Sequence, residues 1–156
     1  MIESYKYKFV KDISKSIAEL LIEYLKELEL KGLVEISPKN KILIPIPLHP
    51  KRLRWRGFNQ AELMSELISQ NLGIKTNNSI IKRVRNSNPQ AKIQDKGERS
   101  QNIKNIFEIS SPDILKDATV LLIDDVITSG ATINECAKAL KKAGATKIIG
   151  LSFARG

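Results

Sequence analysis

Residues 120–132 read VLLIDDVITSGAT and combine three local signals in one stretch. The apolar run Val120–Ile123 is typical of a strand that is covered on both faces in a parallel sheet. Two adjacent carboxylates, Asp124 and Asp125, follow at the predicted carboxyl end of that strand, where open α/β sheets place their ligands. Small and hydroxylated residues then lead into a helical pattern. The stretch therefore predicts a strand, a turn and a helix N-terminus in direct succession.

The predicted turn, Thr128–Thr132, suits a phosphate group. Its side chains are small, Gly130 allows a backbone conformation that most residues resist, and Thr132 is the expected N-cap of the next helix. The first N–H groups of a helix lack internal partners, and the helix dipole favours an anion there. Because carboxylates would repel a phosphate, we expect Asp124 and Asp125 to accept hydrogen bonds from sugar hydroxyls or to hold water around a divalent cation. The inferred ligand has a phosphate, a diol and Mg²⁺.

A purely structural interpretation of the same stretch is a strand–turn–helix unit with two solvated aspartates. A Walker-type phosphate loop is excluded, because the sequence contains no Gly-x-x-x-x-Gly-Lys-[Ser/Thr]. A dinucleotide-binding fold has no support either, because Gly-x-Gly-x-x-Gly is absent. The stretch as a whole therefore favours a pocket for a sugar phosphate.

The net charge of +9 is confined to residues 41–105, and the segments on either side are each neutral. A charge so confined predicts a polyanionic ligand, either pyrophosphate or nucleic acid; the alternative is a solvated basic face. Cys136 is the only cysteine and His49 the only histidine, so we expect a buried, inert thiol and no cysteine- or histidine-based metal site. No stretch reaches the about 18 apolar residues of a membrane span, and the N-terminus has no signal-peptide core, so a cytoplasmic protein is expected.

Helical and strand patterns alternate along the chain, which predicts one α/β domain over residues 1–156. Residues 1–40 form an N-terminal helical region, and the polar residues 86–105 are expected to form a long mobile loop. We predict a largely parallel sheet of about five strands with helices on both faces. The predicted helices cover residues 11–31 and 58–72, and the predicted strands cover residues 41–47, 79–85, 107–109, 120–123 and 147–153.

Residues 47–60 read PLHPKRLRWRGFNQ and form a second strand–helix junction. In a parallel sheet both junctions lie at the same edge, so these basic residues are expected to face the phosphate turn across a cleft. The segment also interleaves cations with an aromatic ring, as sites for single-stranded nucleic acid do. Half-buried packing of Trp55 and a structural turn role for His49 are the alternatives. The candidate nucleic-acid contacts are Arg52, Arg54, Trp55 and Arg56.

Residues 120–132 resemble the motif that binds 5-phosphoribosyl-1-pyrophosphate (PRPP) in type I phosphoribosyltransferases. The resemblance implies that Asp124 and Asp125 contact the ribose 2- and 3-hydroxyls and, in catalysis, orient the ring near the developing cation. Mg²⁺ would be held through PRPP and water near these acids, with no direct protein ligand. The implied 5-phosphate cradle consists of Thr128, Ser129, Gly130, Ala131 and Thr132. The implied pyrophosphate site consists of Leu48, His49, Pro50, Lys51 and Arg52. The implied closing loop supplies Arg83, Arg85, Gln90 and Arg99.

A second resemblance is to the ComF competence family. The residues that carry it are Pro45–Pro50, Arg52, Arg56–Gln60, Lys82–Arg85, Pro89, Gln90, Arg99 and Asn102. Many members of that family have an N-terminal four-cysteine zinc segment, and this chain has nothing of the kind. Either the chain is a short form or that segment has been removed, and any role that rests on the zinc is in doubt.

Together the resemblances imply an Mg-PRPP-binding, phosphoribosyltransferase-like protein linked to DNA uptake in natural transformation, with a helicase of the uptake machinery as a partner. Two alternatives remain open: a non-catalytic module that handles single-stranded DNA, and a regulator that senses PRPP. The sequence identifies neither an acceptor nor a general base, so it does not separate catalysis from sensing. Dimers are common in the resembling fold, which makes a homodimer a further expectation.

Overall fold

The computed structural model describes residues 2–85 and 106–156, so the loop predicted at 86–105, with Gln90 and Arg99, lies outside the described residues. The helices are α1 (Ile2–Leu30), α2 (Pro50–Arg56), α3 (Gln60–Leu72) and α4 (Ala131–Lys142), with a 3-10 helix at Pro112–Leu115. The strands are β1 (Lys41–Pro45), β2 (Lys75–Thr76), β3 (Ile81–Arg83), β4 (Phe107–Ile109), β5 (Thr119–Ile127) and β6 (Lys147–Arg155).

A parallel sheet in the order β2–β1–β5–β6 forms the centre of the fold. Lys41 of β1 pairs with Thr119 of β5, and Thr119 pairs in turn with Lys147 of β6, so the three longer strands start level. The predicted fold class, α/β with a largely parallel sheet, is confirmed. The described part of the sheet has four strands, because β3 and β4 pair with each other in a separate antiparallel ribbon.

Helices cover both faces of the sheet because the strand residues alternate between two apolar cores. Leu121 and Ile123 of β5 lie in the core that contains α1 and α3. Val120 and Leu122 lie in the opposite core, which contains α4 and the β3–β4 ribbon. All four of these residues are fully buried, which confirms the prediction of a strand covered on both faces.

Helix α1 packs one side against α3 and leaves Leu20 and Tyr24 half-exposed on the other. It extends nine residues beyond the predicted start at residue 11. None of the helices in residues 2–85 and 106–156 combines the length and the apolar character that a bilayer crossing requires.

Three features near the carboxyl edge of the sheet differ from the prediction. Strand β5 does not end before Asp124 but continues to Ile127, because β6 still pairs with it there. Residues 50–56, predicted as a basic turn, form the short helix α2, which begins with a proline in its first turn and ends at Gly57 in the left-handed conformation. Helix α3 starts at Gln60 because the Asn59 side chain caps it.

Candidate functional site

The segment after β5 forms a concave site of about 220 Å³ that is open to solvent and lined by Asp124 and Val126–Ile133. Gly130 is the N-cap of α4 and has a φ of 74°, a conformation that costs other L-residues about 1–2 kcal/mol. The prediction that Thr132 is the N-cap was wrong, because the helix has already begun at Ala131. Ser129 Oγ accepts from the Ala131 N–H at 3.4 Å, and Asn134 N–H donates to the Gly130 carbonyl. The first turn of α4 therefore opens onto the site beside Asp124.

The two acids at the end of β5 occupy different environments. In the strand alternation Asp124 follows Val120 and Leu122, on the side of α4 and the ribbon, and Asp125 follows Leu121 and Ile123. The backbone fixes both carboxylates: Asp125 N–H donates to Asp124 Oδ1 at 3.0 Å, and Val126 N–H donates to Asp125 Oδ1 at 2.9 Å. Asp125 Oδ2 lies 3.8 Å from Arg56 Nη1.

Burial and, to a smaller extent, the neighbouring Asp125 together raise the pKa of Asp124 to about 7, while Arg83 opposes the shift. Desolvation disfavours a carboxylate, and a second negative charge beside it adds to the penalty. The acid pair therefore carries between one and two negative charges near neutral pH. It accepts hydrogen bonds from hydroxyl groups in either state, and a ligand cation favours the fully ionised pair.

Arg83 lies near Asp124, and Arg52 lies near Arg83. Burial lowers the pKa of Arg83 on β3, Arg52 of α2 lowers it too, and Asp124 and Cys136 have the opposite effect. The Arg83 guanidinium also lies over the Phe107 ring, 5.9 Å from its centre. Of the residues predicted to bind pyrophosphate or to lie on the closing loop, the structure thus places Arg83 near the acid Asp124 and Arg52 near Arg83.

The remaining residues predicted for those two sites are dispersed. His49 is the N-cap of α2, and its Nδ1 accepts from the Lys51 N–H at 3.3 Å, which is the structural role given as the alternative. Lys51 and Pro50 are exposed in the first turn of α2, and Leu48 lies partly buried before it. Arg85 is exposed just beyond β3.

Helix α2 presents an exposed basic and aromatic surface, because none of its seven residues, all of them described, is buried. The Trp55 side chain is 85% exposed, so the half-buried packing considered for it is wrong. Arg52 and Arg54 are exposed beside it. Arg56 does not belong to this surface, because its guanidinium turns toward Asp125.

Two structural relations at this site have no signal in the local sequence. The first is the contact between Arg56 and Asp125, which are 69 positions apart in the chain and give no local signal. The second is the close approach of α4 to β6 at Gly150, where a Cβ atom would lie 2.8 Å from Ile133 Cδ1. Cys136 is buried as predicted, and burial raises the pKa of its thiol.

Comparison with known proteins places this geometry in a family. The phosphoribosyl transferase domain matches residues 60–155, which include β5, the concave site and α4. Competence protein F of Haemophilus influenzae is 37% identical over 149 residues, and the match covers 95% of this chain and 63% of that protein. The DNA utilization protein YhgH of Salmonella typhi is 29% identical with the same coverage of each. This chain therefore spans about two thirds of the length of these relatives.

A solved structure agrees with the fold. Glutamine PRPP amidotransferase from B. subtilis aligns with 90% of this chain and 26% of its own length, with a TM-score of 0.55 and 15% identity. At that identity the likeness supports the α/β architecture alone. The domain match and the named relatives show that the chain belongs to the phosphoribosyl transferase domain family and is a ComF-type member of it.

Proposed function

We propose that this chain binds Mg-PRPP at the carboxyl edge of its sheet. The observation that supports this most directly is the concave site formed by Val126–Ile133 beside Asp124, with the first turn of α4 opening onto it. Free N–H groups and a helix dipole suit a phosphate monoester. The family to which the chain belongs is named for phosphoribosyl transfer, and PRPP supplies the phosphate and the diol that the site suits.

The proposed complex places each part of PRPP against groups of matching chemistry. The 5-phosphate lies on the backbone of Thr128–Thr132. The ribose hydroxyls donate to Asp124 and Asp125. The pyrophosphate lies toward the cationic side of the cleft, where Arg52 is close enough to lower the pKa of Arg83.

Mg²⁺ in this proposal is held by PRPP oxygens and water. The described residues contain no cluster of three or more His, Cys, Asp or Glu side chains that would hold a metal ion by themselves. Two carboxylates that orient coordinated water fit a cation that keeps much of its hydration shell. The metal would neutralise charge on the pyrophosphate, while the protein residues orient the ribose.

If the protein is an enzyme, it is a phosphoribosyltransferase. The bond between ribose C1 and the pyrophosphate oxygen breaks, an acceptor nitrogen bonds to C1, and the acceptor loses a proton. Arg52 and Arg83 would stabilise the leaving pyrophosphate, and the acid pair would orient the ring. The alternative is a regulator that binds PRPP and catalyses nothing.

We further propose a role in DNA uptake, with a helicase partner in the cytoplasm and a homodimer as the working state. The names of the relatives, competence protein F and DNA utilization protein, support a role with DNA. The second candidate function, binding of single-stranded DNA, is favoured by one feature of this chain. That feature is the exposed Trp55 on a helix whose other exposed side chains include Arg52 and Arg54.

Titration calorimetry with Mg-PRPP tests the proposal. Asp125→Asn removes a charged acceptor of a ribose hydroxyl and is expected to weaken binding about tenfold to a hundredfold. Gly130→Ala is expected to weaken binding as well, because Ala resists a φ of 74° and adds a methyl group to the cradle. Asp113→Asn, in the 3-10 helix at the opposite end of β5, is the matched control and should bind as the wild type does. No binding by the wild type, or equal affinity in Asp125→Asn, would contradict the proposal.

A screen of nucleobases and amines with Mg-PRPP, monitored by pyrophosphate release, separates the enzyme from the sensor. An enzyme releases pyrophosphate with at least one acceptor faster than the Asp125→Asn variant does. A sensor binds Mg-PRPP and releases none above the uncatalysed background.

A further inference from the structure

Three residues, Gly57–Asn59, form the connector between α2 and α3, and Arg56 and Gln60 are the helix residues on either side of it. Together the five residues read Arg-Gly-Phe-Asn-Gln. Gly57, with a φ of 82°, ends α2 in the left-handed conformation and donates its N–H to the Leu53 carbonyl at 2.7 Å. The chain then reverses within two residues and starts α3 at Gln60. The connector thus brings the last residue of α2 back toward the first residue of α3.

Asn59 ties the connector to the sheet. It is 4% exposed, its Nδ2 donates to the Ile46 carbonyl at 3.1 Å, and its Oδ1 accepts from the Ala61 N–H at 3.1 Å. Ile46 in turn donates its N–H to the Ile123 carbonyl at 2.8 Å, one residue before the acid pair. A chain of hydrogen bonds therefore fixes the connector relative to the end of β5.

Three groups hold the Arg56 guanidinium. Nη2 donates to Gln60 Oε1, the Phe58 ring centre lies 5.6 Å from Cζ, and Asp125 Oδ2 lies 3.8 Å from Nη1. The Arg56 and Asp125 side chains are 29% and 31% exposed, so water screens this pair less than a surface pair. The orientation of Arg56 is therefore set by its own connector, and the contact with Asp125 follows from that orientation.

We propose that Arg56 is the positioning residue of the acid pair, which holds the Asp125 carboxylate in one orientation so that it can accept hydrogen bonds from a ligand diol. This inference deepens the proposed function, since the acid pair is the part of the site assigned to the ribose. Gly57, Phe58, Asn59 and Gln60 serve this role by fixing the guanidinium.

The charges around Asp124 and Asp125 explain why the acid pair needs a positioning residue. Two neighbouring carboxylates repel each other, and a proton on either one relieves that repulsion. Arg83 and Cys136 lie toward Asp124, whereas the Arg56 guanidinium lies beside Asp125. Burial favours the neutral form of Asp124, and Arg56 places a positive charge beside Asp125. The site then offers one fixed acceptor beside a second carboxyl that titrates.

The test compares Arg56→Gln, which keeps a polar side chain without the charge, with Arg56→Lys, which keeps the charge without the planar fork. The first measurement is a ¹³C NMR titration of the Asp side-chain carboxyls in the ligand-free protein. In Arg56→Gln the lower of the two apparent pKa values of the pair should rise by about half to one pH unit, and in Arg56→Lys it should stay near the wild-type value. Gln60→Leu, which frees the guanidinium without removing it, should give an intermediate change.

The second measurement is Mg-PRPP affinity by calorimetry. Arg56→Gln should weaken binding by about tenfold and Arg56→Lys by less, while Lys147→Gln, a loss of the same charge at the opposite end of the sheet, should have no effect. Unchanged carboxyl titrations in a folded Arg56→Gln variant would overturn the inference, as would equal losses of affinity in the Gln and Lys variants. Absence of Mg-PRPP binding by the wild type would instead refute the proposed function, and the NMR titration would still decide the role of Arg56.

Discussion

Asp124 and Asp125 are adjacent residues of the same type, but they differ in their surroundings. Strand alternation turns one toward the core formed with α4 and the other toward α2. Burial and its neighbour raise the pKa of Asp124 to about 7, whereas Asp125 faces Arg56. In the proposed site, these unlike surroundings make Asp125 the fixed acceptor and Asp124 the titrating group.

Asp124→Asn is expected to stabilise the folded protein at alkaline pH. The unfolded carboxyl titrates near 4 and the folded one near 7, so its contribution to stability is present below about pH 4 and is lost as the pH rises to 7. The Asn variant does not show this loss. Relative to the wild type, its free energy of unfolding should be higher by about 1 kcal/mol at pH 8, after allowance for partial exposure, and by much less at pH 5. Urea denaturation at both pH values measures the difference. A gain of equal size at pH 5 would show that burial does not set the titration of Asp124.

At the scale of elements, the contact between α4 and β6 positions the first turn of α4. Gly150 of β6 lies opposite Leu122 of β5, and Ile133 of α4 covers it closely. Ile133 also lines the concave site. The small residue on β6 therefore sets how near the first turn of α4 lies to the sheet.

Gly150→Ala is expected to push Ile133 outward, since the new methyl group would lie 2.8 Å from Cδ1. The variant should lose about 1 kcal/mol of unfolding free energy, because Cδ1 is the end of a flexible side chain and can move. Adding Ile133→Val removes that atom and should recover most of the loss. Gly156→Ala, whose Cβ would meet Thr128 Cγ2 at an ordinary 3.7 Å, is the control. Additive losses in the Gly150→Ala, Ile133→Val double mutant would exclude the clash as the cause.

Local signals predicted the elements whose residues repeat an apolar pattern. The run Val120–Ile123 and the alternation at Phe107–Ile109 both became strands, and the start of α3 differed from the prediction by two residues. Helix α2 has no apolar face, so hydrophobic periodicity does not predict it. Its ends are set by caps at His49 and Gly57. Contacts between distant segments, such as Arg56 with Asp125, have no signature within a sequence window.

At the scale of the whole molecule, the net charge of +9 resides in residues 41–105, and α2 carries four of those cations near the open end of the sheet. The α2 surface also carries the only tryptophan of the chain. A basic helix with an exposed aromatic ring attracts a polyanion and provides a stacking surface for a base. The proposed PRPP site and the proposed DNA surface thus both include residues of this one short helix.

Trp55→Ala is expected to weaken binding of a fluorescent oligo(dT) about tenfold while leaving the melting temperature unchanged, because the ring is 85% exposed. Arg54→Ala should reduce the slope of log affinity against log salt by about 0.7. Fluorescence anisotropy over a series of salt concentrations gives both quantities, and Lys147→Ala is the control. Equal affinity of the wild type and Trp55→Ala for the oligonucleotide would show that α2 is not part of the proposed DNA surface.

Helix α2 is attached at its two ends and buries none of its seven side chains. Substitutions at Lys51, Arg54 and Trp55 therefore carry little folding penalty, since exposed positions away from caps and contacts change stability by at most about 0.5 kcal/mol. Over evolutionary time, lineages can diversify what these three positions recognise without disturbing the apolar interior beneath the helix. Selection on these three residues and selection on the acids at the strand end can proceed separately.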